Sequence, residues 1–245
     1  NSMFKKVSLF AFAFADLLLT GCVGQKQAAV NPGTLPEVIK IGYIGPLTGN
    51  AGAYGQDVKN GIAQYFAENP DIAGKPVEMI WEDGKCNGQD AANAAQKLVN
   101  VDKVQIILGG QCSGETLAAA PIAEQGKVVM ISPLSSSPEI TTAGDYIFRN
   151  YPSDMKVSET FVDDALAKGY QRIAILAEQT DYSQGFSNAI KTHLENKGEG
   201  ARLVLQEAYA VDNTDFRTLL AKVKDANADA LVTIAQTPVT NGFTV

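Results

Sequence analysis

From Val38 onward, short runs dominated by Val, Ile, Leu and aromatic residues alternate with longer stretches in which apolar residues recur every three or four positions. The first pattern suits buried strands and the second amphipathic helices, and their alternation predicts an α/β fold of βαβ units on parallel sheets. The runs place strands at 38–44, 77–81, 104–108, 128–131, 146–148, 172–177, 203–208 and 230–234. Helices are expected over 55–68, 89–100, 115–124, 155–168, 183–196 and 214–227. Asp154 is a candidate N-cap for the fourth helix and Asn213 or Thr214 for the sixth, while Gly169 can close the fourth in the left-handed conformation. The pattern pauses at Asn150-Tyr151-Pro152, where the proline disfavours both a continuing strand and an early helix. The pause divides the region into two doubly wound lobes, 37–150 and 151–245, the second with three strands and a sheet that looks incomplete.

The first 36 residues follow another pattern. Lys5 and Lys6 precede Val7 to Leu19, a run apolar except for Ser8 and Asp16 that ends in Leu19-Thr20-Gly21-Cys22. Thirteen residues are too few to span a bilayer but suit the apolar region of an export signal. The segment resembles a bacterial lipoprotein signal over 1–21, cleaved to leave Cys22 as an acylated N-terminus. Residues 22–36, with Gln, Ala, Asn, Pro and Gly and no periodicity, read as a flexible tether. The expected location is the cell envelope, periplasmic or on the outer face of the membrane, with membrane contact only through the lipid.

Composition narrows the classes. The chain has 245 residues, 45% of them hydrophobic, and its 20 Lys and Arg against 27 Asp and Glu give a net charge of −7. Neither a multi-span membrane protein nor a basic nucleic-acid-tracking surface fits these figures. One histidine in the whole chain argues against histidine-rich metal sites, and Glu82 and Asp83 read as an exposed acidic turn. The glycine-rich loop from Gly49 to Gly55 lacks the lysine of a phosphate loop, so no cofactor is expected.

In open parallel sheets ligands bind beyond the C-terminal ends of the strands. Those positions hold the Gly45–Gly55 loop with Tyr54, then Gly109-Gly110-Gln111-Cys112-Ser113-Gly114, then Ser132-Pro133-Leu134-Ser135-Ser136-Ser137-Pro138. In the second lobe they hold Asp181-Tyr182 and Gln236-Thr237-Pro238. Hydroxyls, helix N-termini and tyrosine faces together suit a small anion such as a carboxylate. Cys86 and Cys112 lie on the same sheet edge, an even pair in an exported chain, and a bridge between them is feasible if their Cα atoms approach within about 7 Å. A rival reading takes Cys112 as a nucleophile between strand and helix, with His193 and Glu195 as base and orienter of an amidotransferase or hydrolase.

The ordered set Ile39-Lys40-Ile41-Gly42-Tyr43-Ile44-Gly45-Pro46-Leu47-Thr48-Gly49, Ala53-Tyr54-Gly55, Cys86, Cys112-Ser113, Ile131-Ser132-Pro133 with Ser135-Ser136, and Asp215-Phe216 before Leu219-Leu220-Ala221-Lys222-Val223 resembles the leucine/isoleucine/valine-binding proteins. These are extracytoplasmic receptors of branched-chain amino-acid ABC transporters, and the likeness runs from about residue 38 to 242. The resemblance implies a type I periplasmic-binding-protein-like fold and a monomeric, non-enzymatic receptor. Such a receptor closes on one amino acid or related small carboxylate or amide and passes it to a permease. It implies that Ser113, Leu134, Ser135 and Ser136 hold the ligand carboxylate, that Tyr54 and Tyr182 pack beside the ligand, and that Cys86 pairs with Cys112. A ligand-binding sensory receptor would share this fold and pocket. Two departures stand out: Thr237 occupies a position where the family carries an aromatic residue, and the family's acidic partner for the ligand ammonium lies beyond Val245.

Overall fold

A computed structural model describes residues 35–197 and 200–236. The expected signal segment and tether before Leu35, Cys22 included, and Thr237 and Pro238 lie outside the described residues. Within the described region two parallel sheets form. The first takes β1 (Ile39–Gly45), β2 (Asp71–Ile72), β3 (Lys75–Asp83), β4 (Ile106–Gly109), β5 (Val129–Ser132) and β6 (Ile147–Arg149) in the order β2-β3-β1-β4-β5-β6. All neighbours are parallel except the short β2–β3 hairpin. The second takes β7 (Arg172–Glu178), β8 (Arg202–Tyr209) and β9 (Ala230–Ile234) in the order β8-β7-β9, all parallel.

Helices α1 (Gly52–Glu68), α2 (Gly88–Gln96), α3 (Ser113–Gly126), α4 (Asp154–Ala167), α5 (Asp181–Lys197) and α6 (Arg217–Asp225) connect the strands. Central strands β1 and β7 are buried almost end to end, as expected of strands covered on both faces. In the first lobe Ile44, Leu98, Ile107 and Met130 are fully buried together with alanines of α2 and α3, whose small side chains let those helices approach closely. In the second, Val162, Ile173, Ile175 and Ile190 form the matching core. Among the described residues no helix is long and apolar enough to cross a membrane, and no cluster of ligating side chains could hold a metal ion.

Local differences from the sequence expectation have physical causes. Ser153, not Asp154, caps α4, its hydroxyl accepting the Met155 N–H. Asp154 instead opens the helix and turns its carboxylate to Ser136. Helix α6 starts at Arg217, with Asn213 bonded to the Asp215 carbonyl rather than to the helix end. Gly169 does take a positive φ of 81° behind α4. Glu82 pairs with Lys97, and Asp83 carries structure rather than hanging in solvent, accepting the Leu47 N–H at 2.8 Å and the Thr48 hydroxyl at 2.5 Å. Burial opposes its charge, but these donors together with the Lys85 N–H win and hold the carboxyl below its ordinary range.

Both sheets reverse strand order around their first strand. β1 lies between β3 and β4, and β7 between β8 and β9, so each lobe has a crevice at the carboxyl end of that strand. The two crevices face each other where α3 and α5 begin. Gly114 at the start of α3 lies close to Asp181 at the start of α5, a Cβ placed on it standing 2.6 Å from the end of that side chain.

Candidate functional site

The facing crevices enclose a cleft of about 410 Å³. Its first-lobe wall is built by Pro46, Ala51 and Tyr54 after β1, by Cys86 after β3, by Gln111, Cys112 and Ser113 after β4, and by Leu134 and Ser136 after β5. Tyr151, Tyr182, Ala235 and Gln236 complete it from the segment behind β6 and from the second lobe. None of these side chains is charged, so any ion held here is held by neutral donors and by helix ends.

The first loop is set by close packing. A Cβ on Gly55 would fall 1.7 Å from the Pro46 carbonyl oxygen, so only glycine lets α1 start against that loop and present Tyr54, half exposed, at the rim. The loop after β4 is set by Glu115. This fully buried carboxylate accepts the Cys86 N–H on Oε1 at 2.9 Å, and the Gln111 and Cys112 N–H groups on Oε2 at 3.0 and 2.9 Å. Burial pushes the Glu115 carboxyl above its ordinary value, and the three N–H donors offset only part of that push. The two turns it joins are also joined covalently, since Cys86 and Cys112 form a disulfide with Cα atoms 5.3 Å apart.

Five of the six expected ligand residues meet at the cleft: Tyr54, Ser113, Leu134, Ser136 and Tyr182. Ser113 opens α3 and is nearly buried, and its Oγ accepts the Ser137 N–H at 3.2 Å, which leaves its own proton to donate. Ser135 departs from the expectation. Its hydroxyl turns away from the cleft toward the Gly110 carbonyl at 3.0 Å and Thr116 Oγ1 at 2.7 Å, bracing the β4 loop from behind. Ser136 lines the cleft, but its hydroxyl donates to Asp154 Oδ2 at 2.8 Å, so that proton is committed to a side chain and not to a ligand anion. Burial raises the Asp154 carboxyl, with Ser136 and Arg149 pulling the other way. Ser136→Ala is therefore expected to cost about 1–3 kcal/mol of stability by stripping a buried carboxylate of its donor. Urea denaturation measures this, and an unchanged midpoint would show that solvent replaces the hydroxyl.

Desolvation, with Asp154 and Tyr151 nearby, raises the Tyr182 phenol, so it remains a hydrogen-bond donor at the cleft wall. The nucleophile arrangement is not formed. Cys112 is held in the disulfide, while His193 sits in mid-α5 with Nε2 2.8 Å from the Met155 carbonyl, and it does not line the cleft. Sequence reasoning gave no role to Gln111, Tyr151 or Glu115. The only hint at Gln111 was a bulky amide in a loop otherwise made of small residues.

Comparisons with known proteins agree with this geometry. The periplasmic binding protein family matches residues 38–244. The Leu/Ile/Val-binding protein of Escherichia coli K12 is 31% identical over 217 residues, covering 86% of this chain and 58% of that protein. A leucine-, isoleucine-, valine-, threonine- and alanine-binding protein of Pseudomonas aeruginosa is 29% identical over 219 residues, covering 87% and 56%. Among solved structures, a leucine binding protein from Thermotoga maritima MSB8 superposes with a TM-score of 0.73 at 30% identity, covering 80% of this chain and 55% of that one. An ABC transporter solute binding protein from Rhodopseudomonas palustris HaA2, in complex with p-hydroxybenzoic acid, gives 0.75 at 27% identity, covering 84% and 56%. The chain thus spans a little over half the length of the relatives it matches.

Proposed function

Because this chain belongs to the periplasmic binding protein family, we propose that its cleft takes up one small carboxylic acid of the amino-acid or aromatic-acid kind. The complete protein then serves as an extracytoplasmic solute receptor that hands this acid to an ABC transporter permease. The observation that carries the reading is Ser113, a nearly buried hydroxyl with a free proton at the first residue of α3, facing an uncharged cleft. A helix N-terminus adds partial positive charge there, so hydroxyl and backbone favour the same negatively charged group. Amino acids and benzoates, the ligands named for its relatives, share a carboxylate and little else.

In this reading the lobes 37–150 and 151–245 close on the ligand, with Ser113 and the Leu134–Ser136 loop at its carboxylate and Tyr54 and Tyr182 at its flanks. Ser135 acts from behind, as a brace for the loop. The receptor works as a monomer, and the Lys5–Cys22 pattern supports attachment to the membrane through a lipid on Cys22. Ligand-driven closure shifts an open-to-closed equilibrium, which is the signal a permease reads.

Ser113→Ala is expected to weaken binding about 10- to 100-fold for whichever of leucine, threonine or 4-hydroxybenzoate the wild type prefers, and to cost about 1–3 kcal/mol of stability because the buried Ser137 N–H loses its acceptor. Titration calorimetry measures it. Undiminished affinity would remove Ser113 from the site.

A further inference from the structure

Among the described residues one buried side-chain polar atom lacks a partner, and it belongs to a residue that lines the cleft. Gln111 lines the cleft and is 4% exposed. Its Oε1 accepts the hydroxyl of the fully buried Tyr43 at 2.8 Å. Its Nε2 is buried and makes no hydrogen bond to any described residue. Turning the amide over would put an oxygen at the same place, so this part of the wall is polar either way.

A buried amide N–H without a partner destabilises a protein, and native structures keep such groups chiefly where something else pairs with them. A second amide borders the same cleft from the other lobe. Gln236 lines it too, and the only acceptor its Nε2 has among the described residues is Cys86 Sγ, a weak one. A pocket shaped for a bare hydrocarbon side chain would not carry two amides beside one disulfide.

Building on the carboxylate reading above, we infer that Gln111 is a specificity residue. Its amide pairs with a hydrogen-bonding group that the ligand carries in addition to its carboxylate, such as a hydroxyl, a carbonyl or an amide. The favoured ligand is then a hydroxy-, oxo- or amide-bearing small acid rather than a purely aliphatic one. A site built to pair with a polar group rejects the isostere that lacks it, because the site's own group is then left buried and bare.

The test uses acid pairs of nearly equal shape: threonine against valine, asparagine against leucine, and 4-hydroxybenzoate against 4-methylbenzoate. Each is titrated calorimetrically into the wild-type protein and into Gln111→Met, which keeps the length of the side chain and leaves Tyr43 the Gly55 carbonyl, 3.3 Å away, as its acceptor. The expected result is that the polar member of at least one pair binds about tenfold or more tightly to the wild type, and that Gln111→Met erases or reverses this preference. A wild type that prefers the apolar members overturns the inference while leaving the carboxylate receptor intact. So does a variant that weakens both members of a pair equally, since Gln111 would then serve the carboxylate itself. Failure of all six acids to bind would overturn the carboxylate reading as well. Should Gln111→Met not fold, Gln111→Leu takes its place in the same comparison.

Discussion

Replacing Glu115 with alanine is expected to lower the unfolding free energy by about 3–5 kcal/mol, the largest loss from any single side chain near the cleft. Three backbone N–H groups, those of Cys86, Gln111 and Cys112, lose their acceptor at once in a place water reaches poorly. The cavity left by a fully buried side chain adds to the loss. Glu115→Gln should cost less, about 1–3 kcal/mol, because one amide oxygen still accepts while the amide nitrogen faces donors. Urea denaturation of both variants tests the order. A loss below about 1 kcal/mol for the alanine variant would mean that the disulfide alone holds the two turns.

The pH dependence carries the same signature. Burial raises the Glu115 carboxyl above its ordinary 4.5, so the folded state binds its proton more tightly than the unfolded chain does. Stability from the protonated acid is fully present below pH 4.5 and is lost as pH rises through the folded-state value. Glu115→Gln should flatten that part of the stability profile.

Removing the disulfide ranks second. The bridge closes a segment of 26 residues, and in the chain-entropy account it stabilises by roughly 3 kcal/mol through restricting the unfolded chain. Cys86→Ala with Cys112→Ala should therefore shift the denaturation midpoint by a comparable amount while leaving the fold in place, since Glu115 still ties the same turns. Carboxylate and disulfide tie the same two turns, one through backbone N–H groups and the other through the side chains, so the combined variant should depart from additivity by more than about 0.5 kcal/mol. Strict additivity would show that the two restraints act on separate elements.

Much of this architecture could be read from the chain because parallel strands announce themselves. Runs such as Ile39–Ile44 and Arg172–Ala177 are apolar on both faces, and each is followed within a few residues by the loop that lines the cleft. The rule that ligand loops follow strand ends therefore pointed to Tyr54, Ser113, Leu134, Ser136 and Tyr182. It could not separate neighbours within one loop. Ser135 and Ser136 look alike in sequence, yet the turn aims one hydroxyl at the Gly110 carbonyl and the other at Asp154. Helix caps were legible only to within a residue, since both Ser153 and Asp154 can cap and the fold uses Asp154 for a tertiary contact.

The hairpin strand β2 escaped notice because two exposed residues carry no hydrophobic pattern. Long-range polar pairs were out of reach for a different reason. Tyr43 and Gln111 are 68 positions apart, and Glu115 reaches back 29 to Cys86. Neither link leaves a trace in local periodicity, yet both hold the loops that line the cleft.

A cleft that takes up one small carboxylic acid, as proposed here, should keep it through gentle purification. Native mass spectrometry of the protein purified from its cellular environment without reductant, followed by denaturation, tests it most directly. The expected result is a bound adduct that is released on unfolding and identified as a carboxylic acid, absent from Ser113→Ala, on a chain lighter by the two hydrogens of the Cys86–Cys112 bridge. A protein that carries no acid and gains none from millimolar leucine, threonine or 4-hydroxybenzoate would contradict it.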